Sequence, residues 1–185
     1  MANVQSGITR AFNLRPRELK KVAYRVYETR LRRQLRPSAL PRHVAVLADG
    51  NRRWARANAP DLPLAAGYQA GASKLKQFVA WGDEIGIQAV TLWVLSTDNL
   101  RRDQNDELMP LLEVIVQLVR DLAAADDYRV MVVGDLGLLP DEIADSLRAT
   151  VALTRRRPGM HVNVAVSYGG RHELADAVRS LLAEE

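Results

Sequence analysis

From Pro41 onward, short continuous apolar runs alternate with longer stretches whose apolar residues recur at helical spacing. The runs His43–Ala48, Gln88–Leu95, Tyr128–Val133 and Met160–Val166 are rich in Val, and their length predicts buried strands. Between them, Gly67–Ile85 reads as a helix with apolar Ala70, Leu75, Phe78 and Val79. Glu107–Ala124 is strongly apolar and helical, broken early by Pro110, and Pro140–Leu153 has its proline near the first turn. Arg171–Ala183 predicts a closing helix. Continuously apolar strands separated by helices imply an α/β fold, a mostly parallel central sheet with helices on both faces. Ligands of such sheets bind where the strands end at their carboxyl side, so the polar residues after each strand become the candidates.

The chain before Pro41 reads differently. Residues 1–14 show no clear period and predict a loose arm. Residues 15–36 predict a basic amphipathic helix, with Leu19, Val22, Val26, Leu31 and Leu35 on one side and Arg17, Lys20, Lys21, Arg25, Arg32, Arg33 and Arg36 filling much of the rest. Pro37 and Pro41 break it, and residues 40–185 form the expected main domain. Residues 1–42 hold 11 Lys and Arg against 2 Asp and Glu, a charge of +9 within a total of +4. The remainder is therefore acidic. The favoured reading of the helix is an apolar stripe packed on the domain, with contact to an anionic membrane surface as the alternative. Nucleic acid is disfavoured, because Tyr24 and Tyr27 are the only aromatics interleaved with the basic residues.

Composition narrows the chemistry. The 185 residues include no cysteine, which excludes a disulfide scaffold, thiolate metal sites and a cysteine nucleophile. No run is long and apolar enough for a membrane span or a secretory signal, so a cytoplasmic protein is expected, with possible peripheral contact at the inner membrane surface. His43, His161 and His172 lack metal-ligand spacing and read as structural.

Three strand ends carry clustered polar groups. After Ala48 come Asp49, Gly50, Asn51, Arg52, Arg53 and Trp54, with the arginines opening a helix. A carboxylate, a glycine and guanidiniums beside a helix N-terminus suit a magnesium diphosphate. Equally, Asp49 or Asn51 could serve only as a helix cap, with Gly50 forming the turn. After Leu95 come Ser96, Thr97, Asp98, Asn99, Leu100, Arg101 and Arg102, with Asp106 placed to orient Arg102. These could hold a second anion or relay a proton, or simply form an exposed loop. After Val166 come Ser167, Tyr168, Gly169, Gly170 and Arg171. Arginine-bearing polar or glycine turns recurring at one sheet edge imply a polyanionic ligand.

In order along the chain, His43–Ala55, Gly67–Ala72, Leu95–Asn99 and Tyr168–Arg171 resemble the signatures of the cis-prenyltransferases, the undecaprenyl diphosphate synthase family. Within it the sequence is similar to the short-chain actinobacterial branch that makes (2Z,6E)-farnesyl diphosphate or related products. The resemblance runs from about residue 40 to residue 183, and the Asp-Gly-Asn-Arg-Arg-Trp block is its most specific part. It implies magnesium-dependent condensation of an allylic diphosphate with isopentenyl diphosphate by a homodimer. Asp49 would be the catalytic aspartate and the metal ligand. Gly50, Asn51, Arg52 and Arg53 would cradle the allylic diphosphate, with Trp54 and Tyr68 also on the substrate side. Ser96 and Asn99 match positions tied to isopentenyl orientation and proton removal, Arg102 and Asp106 match the Arg and acid that follow, and Gly169, Gly170 and Arg171 complete the substrate-binding set. The growing chain would lie in an apolar tunnel between the sheet and the helices at 67–85 and 107–124. Trp93, Val94 and Leu95 are its candidate length-limiting residues, and a farnesyl-length product is expected.

The sequence departs from the family pattern at several places. Tyr68 stands where a histidine is usual, Leu64 where an arginine is often found, and Leu100 where an aromatic is common. The Arg-Thr-Ser-Gly-Glu and Phe-x-x-Trp blocks that family members carry further on have no counterpart after Arg171, and they supply isopentenyl contacts, a second carboxylate and much of the dimer interface. The chain is accordingly expected to be a truncated member. A prenyl-diphosphate-binding module or partner subunit without catalysis is the alternative function.

Overall fold

The structure is a computed structural model that describes residues 16–101, 107–125 and 127–183. It divides into two compact units meeting at Leu40 and Pro41. In the first unit, α1 spans Pro16–Gln34 and is followed by a 3₁₀ turn at Pro37–Ala39.

The second unit contains β1 (His43–Leu47), α2 (Asn51–Asn58), α3 (Ala65–Ile85), β2 (Ala89–Trp93), α4 (Met109–Ala124), β3 (Arg129–Val133), α5 (Asp141–Thr154), β4 (His161–Ala165) and α6 (Gly170–Ala183). The four strands are parallel and lie in the order β1-β2-β4-β3. The last strand in sequence thus enters the sheet between β2 and β3. Register aligns Val46 with Leu92 and Leu92 with Val164, so one face collects the branched side chains of all four strands. Val90, Leu92, Val130, Val162 and Val164 are fully buried there, with Val79 of α3 and Leu112 and Val119 of α4. Burial of this kind stabilises at roughly 25 cal/mol per Å² of apolar area.

The expected parallel sheet with flanking helices is present, with unequal coverage of its faces among the described residues. α3 and α4 contact one another and the buried face, and α5 runs beside β3. On the other face His43, Ala45, Leu47 and Met131 are exposed. His43 Nε2 lies 2.8 Å from Thr91 Oγ1 on that side, a hydrogen bond across the sheet.

The helix ends follow from local chemistry. Pro110 falls in the first turn of α4, and residues 107 and 108 just before that turn are wound as a π-turn, so the regular α-helix starts next to the proline, in keeping with the early break expected there. Arg157 closes the other end by donating to the carbonyl oxygens of Ala123 (2.8 Å) and Ala125 (2.5 Å). α3 stops at Gly86, whose φ of 87° lets Ile87 N–H turn back to the Gly82 carbonyl. Thr154, fully buried at the end of α5, accepts a 3.1 Å hydrogen bond from Val130 N–H, and its hydroxyl sits 3.1 Å from the Val130 carbonyl oxygen. A side chain thereby satisfies the outer edge of β3, which has no further strand beside it among the described residues.

Candidate active site

The carboxyl ends of β1 and β2 border a cavity of about 550 Å³. Its polar lip is Asp49, Gly50, Asn51, Arg52, Arg53, Arg56, Ser96 and Asn99, and its apolar wall includes Tyr68, Trp93, Val94 and Leu111. A cluster of cations around one end of a partly apolar hollow suits an amphiphile with an anionic head.

The lip is built by a sharp turn. Gly50 adopts φ 95°, a left-handed conformation that places α2 directly after the strand. No side chain caps α2 at Gly50, so the capping role considered for Asp49 or Asn51 is not the one they take. The Asp49 carboxylate instead accepts from Gly50 N–H at 2.6 Å and from Arg53 Nη2 at 3.1 Å. The first-turn amides of α2 lack intrahelical acceptors, as they do in any α-helix, which makes the turn favourable for an anion. Arg52 reaches away along the lip to Glu107, with Nη1 3.2 Å from Oε2. One turn on, Arg56 also lines the cavity. It escaped the sequence reading, although its i, i+4 spacing from Arg52 was the available signal.

Gly67 and Gly71 explain the second sequence block. A Cβ on Gly67 would collide with the Asn51 carbonyl oxygen and come within 2.9 Å of Ala55 Cβ. A Cβ on Gly71 would collide with the Asn51 side-chain amide, reaching 2.9 Å from its Cγ. These glycines let α3 approach α2 closely enough to back the Asn51 side chain. The adjacent Tyr68 is then buried, 3% exposed, in the cavity wall.

At the end of β2, the chain makes a 3₁₀ turn at Thr97–Arg101. Asn99 Nδ2 donates to Ser96 Oγ, and both residues line the cavity. Residues Arg102 and Asp106 lie outside the described residues. β4 supplies the neighbouring support: Ser96 pairs with Tyr168 in an isolated parallel bridge, and Thr97 N–H donates to the Tyr168 carbonyl at 3.3 Å. Gly169 permits this approach, since a Cβ there would stand 2.6 Å from Thr97 Oγ1. Trp93 and Tyr168 meet edge to face with centroids 5.2 Å apart. The Tyr168 phenol is raised above its ordinary pKa by a hydrogen bond to Glu173 and by that carboxylate's charge.

Not every sequence candidate reaches the cavity wall. Trp54 is half-exposed on α2, and Gly169, Gly170 and Arg171 stand behind the Ser96 turn or at the start of α6, outside the lining set. Of the tunnel candidates, Trp93 and Val94 line the cavity, whereas Leu95 is buried in the core with 1% exposure. Leu111 is a wall residue that the strand-end search overlooked, because it comes from the first turn of α4.

Asp49 is the acidic side chain of the described cavity lining, and no cluster of three His, Asp or Glu suited to a metal occurs among the described residues. This donor set fits Mg²⁺ held through one carboxylate plus substrate phosphate oxygens and water, the usual mode for that ion with phosphates.

The family model for putative undecaprenyl diphosphate synthase matches residues 47–185. The chain belongs to this prenyltransferase family. It is 49% identical over 173 residues to a (2Z,6E)-farnesyl diphosphate synthase of Mycobacterium tuberculosis, covering 92% of this chain and 65% of the relative. It is 52% identical over 162 residues to the (2Z,6E)-farnesyl diphosphate synthase of Thermobifida fusca, covering 88% of this chain and 63% of that one. The crystal structure of lavandulyl diphosphate synthase from Lavandula x intermedia, in complex with dimethylallyl diphosphate, superposes with a TM-score of 0.71 at 30% identity, covering 78% of this chain and 62% of that one. The chain thus spans somewhat less than two thirds of the length of these relatives.

Proposed function

We propose that the protein condenses an allylic diphosphate with isopentenyl diphosphate to give a short-chain Z-prenyl diphosphate. The observation that carries this reading is the juxtaposition, in one cavity, of Asp49, three arginines and the start of α2 with the apolar wall of Tyr68, Val94 and Leu111. A diphosphate at the lip leaves its hydrocarbon directed at that wall. The similarity to farnesyl diphosphate synthases over 92% of the chain supports the same substrates. The Lavandula structure, bound to dimethylallyl diphosphate, supports an allylic ligand.

In this reading Arg52, Arg53 and Arg56 hold diphosphate oxygens and stabilise the negative charge that grows as diphosphate departs from the allylic carbon. Mg²⁺, held by Asp49 and the phosphates, would supply Lewis-acid assistance to that departure. Carbon–carbon bond formation to isopentenyl diphosphate releases one proton. The Asn99–Ser96 pair is proposed to orient the isopentenyl group and guide that proton's removal. Tyr68, Val94, Trp93 and Leu111 exclude water, and a cavity of this volume suits one compact ligand of farnesyl size. Arg102 with Asp106, and Gly169, Gly170 and Arg171, are proposed as further substrate contacts. A homodimer working in the cytoplasm, in peripheral contact with the inner membrane surface, completes the proposal.

The test is incubation of the purified chain with radiolabelled isopentenyl diphosphate, an allylic diphosphate and Mg²⁺. A short Z-prenyl diphosphate is the expected product. Allylic binding without product would instead favour a binding module or partner subunit, and no binding of either diphosphate would overturn both readings.

A further inference from the structure

Ser167 breaks two local rules at once. It adopts φ 52° although it carries a Cβ, a conformation uncommon outside glycine, asparagine and aspartate. It is buried, and its hydroxyl has no hydrogen-bond partner among the described residues. Such violations collect at functional sites, where the surrounding structure holds them in place. Ser167 itself is outside the cavity lining. It follows the end of β4 by two residues and immediately precedes Tyr168, which braces the Ser96 turn.

The backbone hydrogen bonds show what this turn does. In a parallel ladder, every second residue of a strand bonds to the same neighbour. β4 and β2 keep that rule up to the pair Ala165 and Trp93, where Val94 N–H donates to the Ala165 carbonyl at 3.1 Å. Leu95 N–H then donates to the same carbonyl at 3.2 Å, and the next bonds run from Tyr168 N–H to Leu95 (3.1 Å) and from Thr97 N–H to Tyr168 (3.3 Å). Each strand has advanced three residues instead of two, a bulge in both partners, and Ser167 is the extra residue of β4. The β3 side agrees: Val166 N–H donates to Val133 at 2.9 Å, yet the carbonyl facing Asp135 N–H, 3.5 Å away, is that of Ser167 and not of Val166. An extra residue reverses the alternation of faces. Strict alternation would put Tyr168 with Val162, Val164 and Val166 on the buried face, but its ring meets Trp93, from the face opposite Leu92.

We propose that Ser167 is a positioning residue for the Ser96–Asn99 pair: its left-handed turn carries the Tyr168 backbone onto Ser96, which fixes where β2 ends and where the 3₁₀ turn bearing Asn99 begins. From that point Asn99 N–H donates to the Ser96 carbonyl at 3.0 Å, and the Asn99 side chain donates to Ser96 Oγ. The role belongs to the backbone turn, and the Ser167 hydroxyl takes no part in it. The inference rests on the assignment of Ser96 and Asn99 to the isopentenyl group. A glycine holds φ 52° without strain, whereas a β-branched residue is forced away from it.

Three substitutions in the full chain test it. Ser167→Gly and Ser167→Ala should keep turnover of isopentenyl and allylic diphosphates with Mg²⁺ within about threefold. Ser167→Val should lower turnover about 100-fold while allylic diphosphate affinity changes only a few-fold. Amide hydrogen exchange followed by NMR reads the geometry without catalysis: in the valine variant the Thr97 and Tyr168 amides should lose about tenfold or more of their protection, with the amides inside β2 and β4 unchanged. Should the valine variant fail to fold, Ser167→Thr, β-branched and one methyl larger than serine, gives the same reading. Unchanged protection of the two amides in the β-branched variant overturns the proposal, as does lost protection with normal turnover. Turnover lost in the alanine variant with both amides still protected assigns the role to the hydroxyl and overturns it too. If the unsubstituted chain forms no product, the exchange measurement still decides whether Ser167 holds the Ser96 turn, and the failure falls on the proposed reaction alone.

Discussion

Arg53 Nη2 lies 3.1 Å from Asp49 Oδ2, across one helical turn at the lip of the cavity. Both side chains keep about three quarters of their accessible surface, 78% and 75%, so the pair contributes at most about 1 kcal/mol to folding. Its value is positional: it keeps a carboxylate and a guanidinium together where a metal diphosphate would exchange partners with both. Asp49→Ala is expected to leave the melting temperature within about 2 °C and to abolish Mg²⁺-dependent binding and condensation of allylic diphosphate. Calorimetric titration with and without Mg²⁺ checks this, and unchanged metal dependence would remove Asp49 from the role.

Gly67 and Gly71 separate packing from positioning. Gly67→Ala forces a Cβ against backbone and against Ala55, and should cost roughly 1–3 kcal/mol in denaturant unfolding together with weaker diphosphate binding. Gly71→Ala meets the Asn51 side chain, which can rotate away, so diphosphate affinity should fall more than stability does. Equal effects on both quantities in the two variants would contradict the distinct roles.

Asn99 donates to Ser96 inside the cavity lining. Asn99→Ala should lower turnover about 100-fold while changing allylic diphosphate affinity only a few-fold, as expected when a positioning contact for the reacting group is lost. Single-turnover rates beside equilibrium binding separate the two.

Thr154 tests the sheet edge far from the cavity. Thr154→Val keeps the shape and strands the Val130 N–H and carbonyl in a buried place, at a cost of about 1–3 kcal/mol. Urea unfolding should show the loss, with diphosphate affinity unchanged.

Tyr168 gives a signature in alkali. Because the hydrogen bond to Glu173 and the carboxylate's charge favour the neutral phenol, its ionisation lies above the ordinary tyrosine value of 10.0. The stabilisation this implies is complete below the unfolded tyrosine pKa and disappears as pH climbs through the folded one. Burial raises the Tyr128 phenol as well, so phenolate absorbance should show both tyrosines titrating late, and Glu173→Gln should bring only Tyr168 back toward the ordinary range.

Strand and helix identities were legible because they rest on local periodicity. His43–Ala48 corresponds to β1, and Pro140–Leu153 to α5 within one residue at each end. Of the cavity, Asp49 to Arg53, Tyr68, Ser96 and Asn99 were legible from the order of four motifs. Arg56 and Leu111 were not, since a helical arginine and a leucine in an apolar run look alike whether they face solvent, core or ligand.

The sequence by itself determined the alternation of elements, the glycine turn after β1, the confinement of positive charge to the first 42 residues and the family signature. Those properties depend on spacing and residue chemistry within short windows. Tertiary structure alone decided that β4 inserts beside β2 and braces Ser96 with Tyr168, and that Gly67 and Gly71 press α3 against Asn51. Each depends on which distant surfaces meet, and hydrophobic pattern states only that a face prefers to be covered, never by what.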